Sequence, residues 1–559
     1  MDRRMQTART GLLRIVCGLL VIAFGSAAQA EFVWQNVSGG IPGPLGYNQE
    51  RRIVRDADNG YLHVTFDNQG AVWYSWSEDN GETWLPDVPP PDNNREEIEG
   101  LGMTHGYGAI GVDRANTPWV SWVYGGQVGA EQNKLEGGIR TGGTWVKGES
   151  LSPFFPPAEY AGMDQGAIAV TKCPVPTDVA VAYSVVPAEK WNFMGPTGHK
   201  YLFLVAWGLD GGVVRSFPTA TTTLDYQFLP NAPHVLRASI AVQKDGQSDV
   251  IHVVWQRRED NTTRIYHVQS APITPQQVRA GQPLVWSVRF PVSQSQQQPV
   301  TEQATFPSVD FKDRDPNSTL DDAQLIVAWH GPNNNGGFPG DVWRRIRYPY
   351  PRGWDVARNV SYQGFGANVE SEFPEASTPD VVAWQEDQNE WDIYGNFWGN
   401  MDRIVVREGE DKWPHIAAKH WDNIAAVDCH TLWARPGANE LHYKEHTYIP
   451  RGLGPGGQSA GRLRLGEGEA WLYPVPPVTG RTRAVFRYFV PDHARVELAL
   501  YDQAGRRTRT LDAAVLPPGL HASQWDGKTD AGCYAPAGTY VCVLKTPTAV
   551  KTQPVRVVR

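Results

Sequence analysis

One pattern limits this chain more than any other: a two-strand unit returns at a pitch of about 60 residues, the mark of a radial or stacked array rather than of a single core. The copies open at Arg51 (RRIVRDADNGYLHVTF), Gly108 (GAIGVDRANTPWVSWV), Gly166 (GAIAVTKCPVPTDVAVAYS), Ala238 (ASIAVQKDGQSDVIHVVWQ), Phe306 (FPSVDFKDRDPNSTLDDAQLIVAWHG), Phe373 (FPEASTPDVVAWQEDQNEWDIY) and Trp413 (WPHIAAKHWDNIAAVDCHTLW). Each copy has a short apolar strand, a polar turn and a second apolar strand that ends on or near an aromatic residue. Most add a third strand, as in AVWYSWS, RIYHVQS and DVWRRIRY.

Composition agrees with strands. The chain has 56 Gly, 43 Pro and 22 Trp, and its apolar runs are broken by Gly, Pro, Asn and Asp clusters with no long helical stripe. Repeated sheets set around an axis leave few open strand edges, so the repeat predicts an all-β fold, a β-propeller of six to eight blades with seven favoured. A row of separate β-sandwiches would need linkers between units, and none separates these copies. The predicted propeller spans 31–450. Arg451–Arg462 (RGLGPGGQSAGR) opens a linker over 451–469, and 470–559 reads as a small second domain.

Residues 1–30 read as a secretory leader. Arg3, Arg4, Arg9 and Arg14 precede an apolar run from Ile15 to Phe24, and SAAQA precedes Glu31. The run is too short to span a bilayer. The residues before Cys17 do not suit a lipoprotein signal. Export to the periplasm, cell surface or exterior is the expectation. The formal charge is −9; without the leader's four Arg and one Asp it is −12, which argues against nucleic acid as a partner. Of the remaining cysteines, Cys173, Cys429, Cys533 and Cys542, the pair Cys533–Cys542 is favoured because it flanks a hairpin-like YAPAGTYV.

The stretch Ser77-Glu78-Asp79-Asn80-Gly81-Glu82-Thr83-Trp84 resembles the Asp-box (BNR repeat) of sialidase-like propellers, with Ser77, Asp79, Gly81, Thr83 and Trp84 at its fixed positions. Its physics is structural. A carboxylate can accept backbone N–H bonds in a tight turn, glycine takes a backbone conformation costly for other residues, and tryptophan buries a large ring. The resemblance implies a turn on the rim away from any active site.

The same resemblance implies, for an active member, three arginines on a substrate carboxylate, a tyrosine nucleophile paired with a glutamate, and an acidic aspartate. Arg52-Ile53-Val54 stands where that family carries Arg-Ile-Pro, without the proline. Asp67 in TFDNQG is the acid candidate, without the arginine that usually accompanies it. Tyr443 with Glu445 is the nucleophile candidate, although residues two apart share a face in any strand.

The last ninety residues resemble the FlgD-type Ig-like domain. The resemblance rests on Tyr501-Asp502 with Gly505-Arg506, Trp525-Asp526-Gly527, Asp530-Ala531-Gly532 and Pro536-Ala537-Gly538-Thr539-Tyr540. It implies an Ig-like β-sandwich acting as a structural or sorting module and no chemistry.

Asp313, Asp315, Asn317 and Asp321 have the alternating spacing of a calcium loop but lack its sixth-position glycine and twelfth-position glutamate, so a solvated turn is preferred and no metal or other cofactor is expected. The histidines between His415 and His446 lack zinc-site spacing. Two functions follow. The leading one is a non-catalytic propeller that binds a glycan or protein ligand on one face; the alternative is a sialidase-type exo-glycosidase. The discriminator is whether Arg52 converges with further arginines, a tyrosine and a carboxylate near the axis.

Overall fold

The computed structural model describes the chain from Phe32 to Val558, apart from 449–470 and shorter loop segments of which 313–323 is the longest. The leader, the linker 451–469 and the candidate calcium residues Asp313, Asp315, Asn317 and Asp321 therefore lie outside the described residues. The chain divides into Glu31–Pro450 and a unit that begins at Arg451.

The described residues of the first unit form seven sheets, a β-propeller. Sheet 1 holds Ile53–Arg55, Leu62–Asn68, Ala71–Ser77 and Glu96–Glu99; sheet 2 holds Thr104–Val112, Pro118–Gly125, Lys134–Thr141 and Thr144–Gly148. Sheet 3 is larger, with Tyr160–Met163, Ala167–Val170, Ala182–Asn192, Gly195–Asp210, Val213–Ser216 and Thr222–Phe228. Sheet 4 holds Ala238–Asp245, Ser248–Glu259, Thr262–Gln269 and Phe290–Pro291; sheet 5 begins with Thr305–Lys312, Gln324–Gly331 and Asp341–Tyr348. Sheet 6 holds Glu370–Ser377, Val381–Asp387, Trp391–Phe397 and Asn400–Arg403. Sheet 7 joins Lys412–His420, Val427–Arg435 and Glu440–Tyr448 to the early strand Phe32–Gln35, with Phe32 opposite Tyr443 and Gln35 opposite Glu440.

The inner strands make a ring. Ile53–Arg55 packs on Thr104–Val112, and so on through Ala167–Val170, Ala238–Asp245, Thr305–Lys312, Glu370–Ser377 and Lys412–His420, which returns to Ile53–Arg55. Serines stitch neighbouring inner strands together. Ser239 Oγ accepts from Val309 N at 3.3 Å, Ser308 Oγ from Ala376 N at 3.0 Å, and Ser377 Oγ from Ala418 N at 2.9 Å. A serine suits this task because one small oxygen caps an amide that the ladder leaves unpaired.

The core lies between the sheets. Phe66, Trp122, Trp255, Trp329, Trp384 and Trp433, late on the second strands, are buried. In three of them the indole N–H is matched: Trp255 Nε1 donates to Asp225 at 2.9 Å, Trp384 Nε1 to Glu386 at 2.9 Å and Trp433 Nε1 to Asp411 at 3.1 Å.

The Ser77–Trp84 turn shows why its residue types recur. Ser77 Oγ donates to Asp79 Oδ1 (2.8 Å) and accepts from Gly81 N (2.7 Å), while Thr83 N donates to Asp79 Oδ1 at 2.8 Å. Gly81 sits at φ +92°, and a Cβ there would lie 2.1 Å from the Tyr443 hydroxyl, so both conformation and space require glycine. Trp84 is buried edge-on against Tyr443, with ring centroids 4.9 Å apart. Burial works against the Asp79 charge, but the bonds from Thr83 and Ser77 outweigh it and hold the carboxyl below its ordinary value.

The second unit is a β-sandwich. One sheet orders 471–472, 484–490 and 519–525; the other orders 478–479, 550–558, 538–545, 494–501 and 507–516. Phe486, Tyr488, Leu498, Leu500, Trp525, Cys542 and Leu544 share its core. The expected Cys533–Cys542 disulfide is corrected here. Neither Cys533 nor Cys542 is in a disulfide, and Cys542 is buried while Cys533 is exposed. Strand alternation turns Cys542 inward with Tyr540 and Leu544, whereas Cys533 sits in the outer turn.

Candidate ligand-binding face

The candidate face is the one on which the inner strands begin. There Leu236, Phe306, Phe373 and Trp413 have left-handed backbone, with φ of 78°, 50°, 50° and 54°. Bulky residues rarely adopt that conformation, and each instance needs support from its surroundings. In sheets 5, 6 and 7 the aromatic residue and the following proline form a bulge, marked by register shifts between Thr305 and Ser308, Glu372 and Glu375, and Lys412 and His415. The residue after the proline is thereby turned inward: Ser308, Glu375 and His415 are all buried.

A repeated latch supports these bulges. The side chain that follows the second-strand aromatic accepts from an amide in the next sheet's bulge. Gln256 Oε1 takes Phe306 N at 3.2 Å, and Gln385 Oε1 takes Trp413 N at 2.9 Å. Asp67, which follows Phe66, takes Gly108 N at 3.4 Å in the same way.

Arg52 and Asp67, each singled out separately in the sequence, bind each other. Arg52 Nη2 lies 3.1 Å from Asp67 Oδ2 and Nη1 lies 3.3 Å from Oδ1, a two-pronged ion pair with Arg52 fully buried. Arg52 Nη1 also donates to the Gly108 carbonyl at 2.6 Å and Nε to the Leu45 carbonyl at 2.8 Å. Its guanidinium thus ties sheet 1, sheet 2 and the segment between the first strand and the ring.

Four further ionisable residues, in two pairs, complete the axis. Arg51 pairs with Asp310 Oδ1 at 2.5 Å and donates to the Val309 carbonyl at 3.1 Å. Sheets 1 and 5 are not neighbours in the ring, so this bridge crosses its centre. His415 Nδ1 lies 2.5 Å from Glu375 Oε2, both buried, and His415 Nε2 lies 3.2 Å from the Leu45 carbonyl. Burial pushes the Glu375 carboxyl above its ordinary value, with His415 and then Arg51 pulling the other way. These partners were missed in the sequence, yet a signal was present: the position two past the aromatic in FPS, FPE and WPH is the inward one.

Tyr443 joins neither Arg52 nor Asp67 in any of these contacts. Its ring packs on Trp84 under the Ser77–Trp84 turn, and its hydroxyl lies 2.8 Å from His430 Nδ1. Of the other arginines in the propeller, Arg257 pairs with Asp225 and Glu259, Arg344 with Asp355, and Arg345 donates to the Asp355, Val292 and Gln294 carbonyls. Arg347 bonds Gln269. Among the described residues no three His, Cys, Asp or Glu side chains are grouped as metal ligands would be. Nor is any helix long and apolar enough to cross a membrane.

Residues 476–549 match the FlgD Ig-like domain. No curated protein matches the chain. Among solved structures, an ulvan lyase of polysaccharide lyase family PL25, bound to -[GlcA(1-4)Rha3S]-, is 11% identical over 75% of this chain and 96% of its own, at a TM-score of 0.40. The SapL1 lectin with alpha methyl fucoside is 13% identical over 66% of this chain and 99% of its own, at 0.33. A Trypanosoma rangeli sialidase mutant with trans-sialidase activity is 10% identical over 93% and 86%, at 0.34. Superpositions at this level say nothing of which chemistry a chain performs.

Proposed function

We propose that this chain is an exported, non-catalytic propeller that needs no cofactor and holds a glycan or protein ligand on one face, with its C-terminal Ig-like unit as a structural or sorting module. One observation carries the reading: Arg52, the arginine placed to grip a substrate carboxylate, is fully buried and bound to Asp67, Gly108 and Leu45. A clamp for a ligand needs donors facing a space the ligand can enter. Here the donors face the protein's own backbone and acid, and Asp67 occupies the latch position that glutamines fill in sheets 4 and 6.

The test is to incubate the full chain with a fluorogenic sialoside while measuring its retention on polysaccharide and protein panels. Retention without turnover supports the reading. Sialoside turnover at enzyme-like rates overturns it in favour of the sialidase-type hydrolase. Export is checked separately by N-terminal sequencing of the secreted protein, which should begin at Glu31.

A further inference from the structure

Sheet 3 departs from its neighbours. Ala182–Asn192 and Gly195–Asp210 form a long hairpin, with Tyr160–Met163 paired on one side and Thr222–Phe228 on the other. Across the last pair, His199 stands opposite Phe228 and Tyr201 opposite Tyr226. Alternation puts these four rings on one face, because Gly198, Lys200 and Leu202 between them are buried, as are Asp225 and Gln227.

The rings make a continuous shelf. His199 and Phe228 have centroids 4.8 Å apart, Tyr201 and Tyr226 5.0 Å, and Phe203 stacks on Tyr201 at 5.5 Å. Tyr226 is 44% and Phe228 56% exposed, and among the described residues of the propeller they are the large aromatic side chains left most open to water. Cross-strand aromatic pairs stabilise a sheet, but that role is served best by rings that cover each other.

The shelf is rigid because it is held from behind. Asp225 accepts from Trp255 Nε1 at 2.9 Å and Arg289 Nη1 at 3.0 Å, and pairs with Arg257. Gln227 exchanges bonds with the Arg258 backbone, Nε2 to the carbonyl at 2.5 Å and Oε1 from the amide at 3.3 Å. Strand 222–228 is thereby fixed to sheet 4, and its outward rings need little ordering when a ligand arrives.

We infer that this shelf binds the apolar face of a pyranose unit in a polysaccharide; the inference rests on the non-catalytic reading above and gives it a ligand and a place. The complementarity is electrostatic. Aromatic faces carry negative charge density, and the C–H hydrogens on the flat side of a sugar ring are slightly positive. The edges supply the rest. The Tyr226 hydroxyl is fixed 2.7 Å from His199 Nδ1, and His199 Nε2 has no protein partner among the described residues, so it can meet a sugar hydroxyl. An aliphatic lipid chain would make no use of that polar rim.

Affinity electrophoresis of the full chain through gels carrying soluble xylan, laminarin or alginate tests this, beside the Tyr226→Ala/Phe228→Ala double variant and Phe228→Trp. The expected result is retardation by at least one polysaccharide, weakened about tenfold or more in the double variant and kept or strengthened by the larger ring of Phe228→Trp. Equal retardation of wild type and double variant overturns the shelf and leaves a glycan binder whose site lies elsewhere. Failure of every polysaccharide, with a protein captured instead, overturns the glycan assignment while the non-catalytic reading stands. A double variant that fails to melt cooperatively shifts the decision to Phe228→Trp, where loss of binding overturns the shelf.

Discussion

The axis and the sheet 3 shelf use side chains in opposite ways. At the axis Arg52, Asp67, Glu375 and His415 are charged or polar, buried and engaged with other parts of the ring. On the shelf Tyr226 and Phe228 are aromatic and open, and the strand that carries them is held from behind. A sequence reader drawn to charged residues goes to the axis for function. There the charges hold sheets together, while the feature with unmet binding capacity is aromatic and lies off the axis. Buried charge marks a cost that the fold has covered with partners, whereas exposed rings mark contact surface still available.

Four measurements would break or sharpen that contrast. Arg52→Ala leaves Asp67 buried without its cation and frees two carbonyls, so the propeller should lose about 3–5 kcal/mol, read as a large fall in the urea midpoint. A melt close to wild type would mean that the axis is not structural. Gly81→Ala introduces a Cβ into the Tyr443 hydroxyl at a strained φ and should cost about 1–3 kcal/mol by the same assay. Next comes pH. His63 Nδ1 faces the Tyr74 hydroxyl at 2.7 Å and Nε2 faces Asn116 Oδ1 at 2.9 Å, and burial depresses its pKa to about 4. The unfolded chain then takes up the proton first as pH falls below about 6.5, so this histidine's neutral form stabilises the fold at neutral pH and that contribution declines between about 6.5 and 4. Burial-raised carboxyls such as Asp249 and Glu375 act with the opposite sign, so the readout is a difference: His63→Gln should show a shallower loss of stability over that window than wild type. Parallel curves would refute it. Finally, Phe228→Ala should leave stability within about 0.5 kcal/mol of wild type. A larger loss would make the shelf an internal brace rather than a surface for ligands.

Much of the fold was legible because each repeat carries its own inner and second strand. The copies opening at Ala238, Phe306 and Trp413 begin within two residues of observed inner strands. The Ser77–Trp84 turn was legible for a related reason, since its bonds join residues at most four apart. The long hairpin of sheet 3 was not, because Pro187, Gly195 and Pro196 read as breaks. In the structure Pro187 lies within the strand opposite Leu202, and Gly195 opens the return strand. The partners of Arg52 were equally hidden. The pairing with Asp67 lies within one repeat and the bond to Leu45 joins residues seven apart, but the bond to Gly108 reaches the next sheet and the Arg51 bridge to Asp310 reaches a sheet that is not a neighbour, contacts that no local pattern records. Cys542 misled because proximity in sequence says nothing about which way a strand turns its side chains.

The strand Phe32–Gln35 has a consequence for how the molecule comes together. Its hydrogen-bonding partner, Glu440–Tyr448, is about 400 residues later in the chain, so sheet 7 is a joint between early and late segments. As the chain emerges from its N-terminal side, the first strand has no partner until the intervening sheets exist, and its open edge is exposed for all of that time. The entropy of bringing such distant segments together grows only logarithmically with their separation, so the closed ring is thermodynamically accessible but slow to reach. Once closed, the joint couples both ends of the propeller: loss of the early strand and loss of the late one open the same sheet.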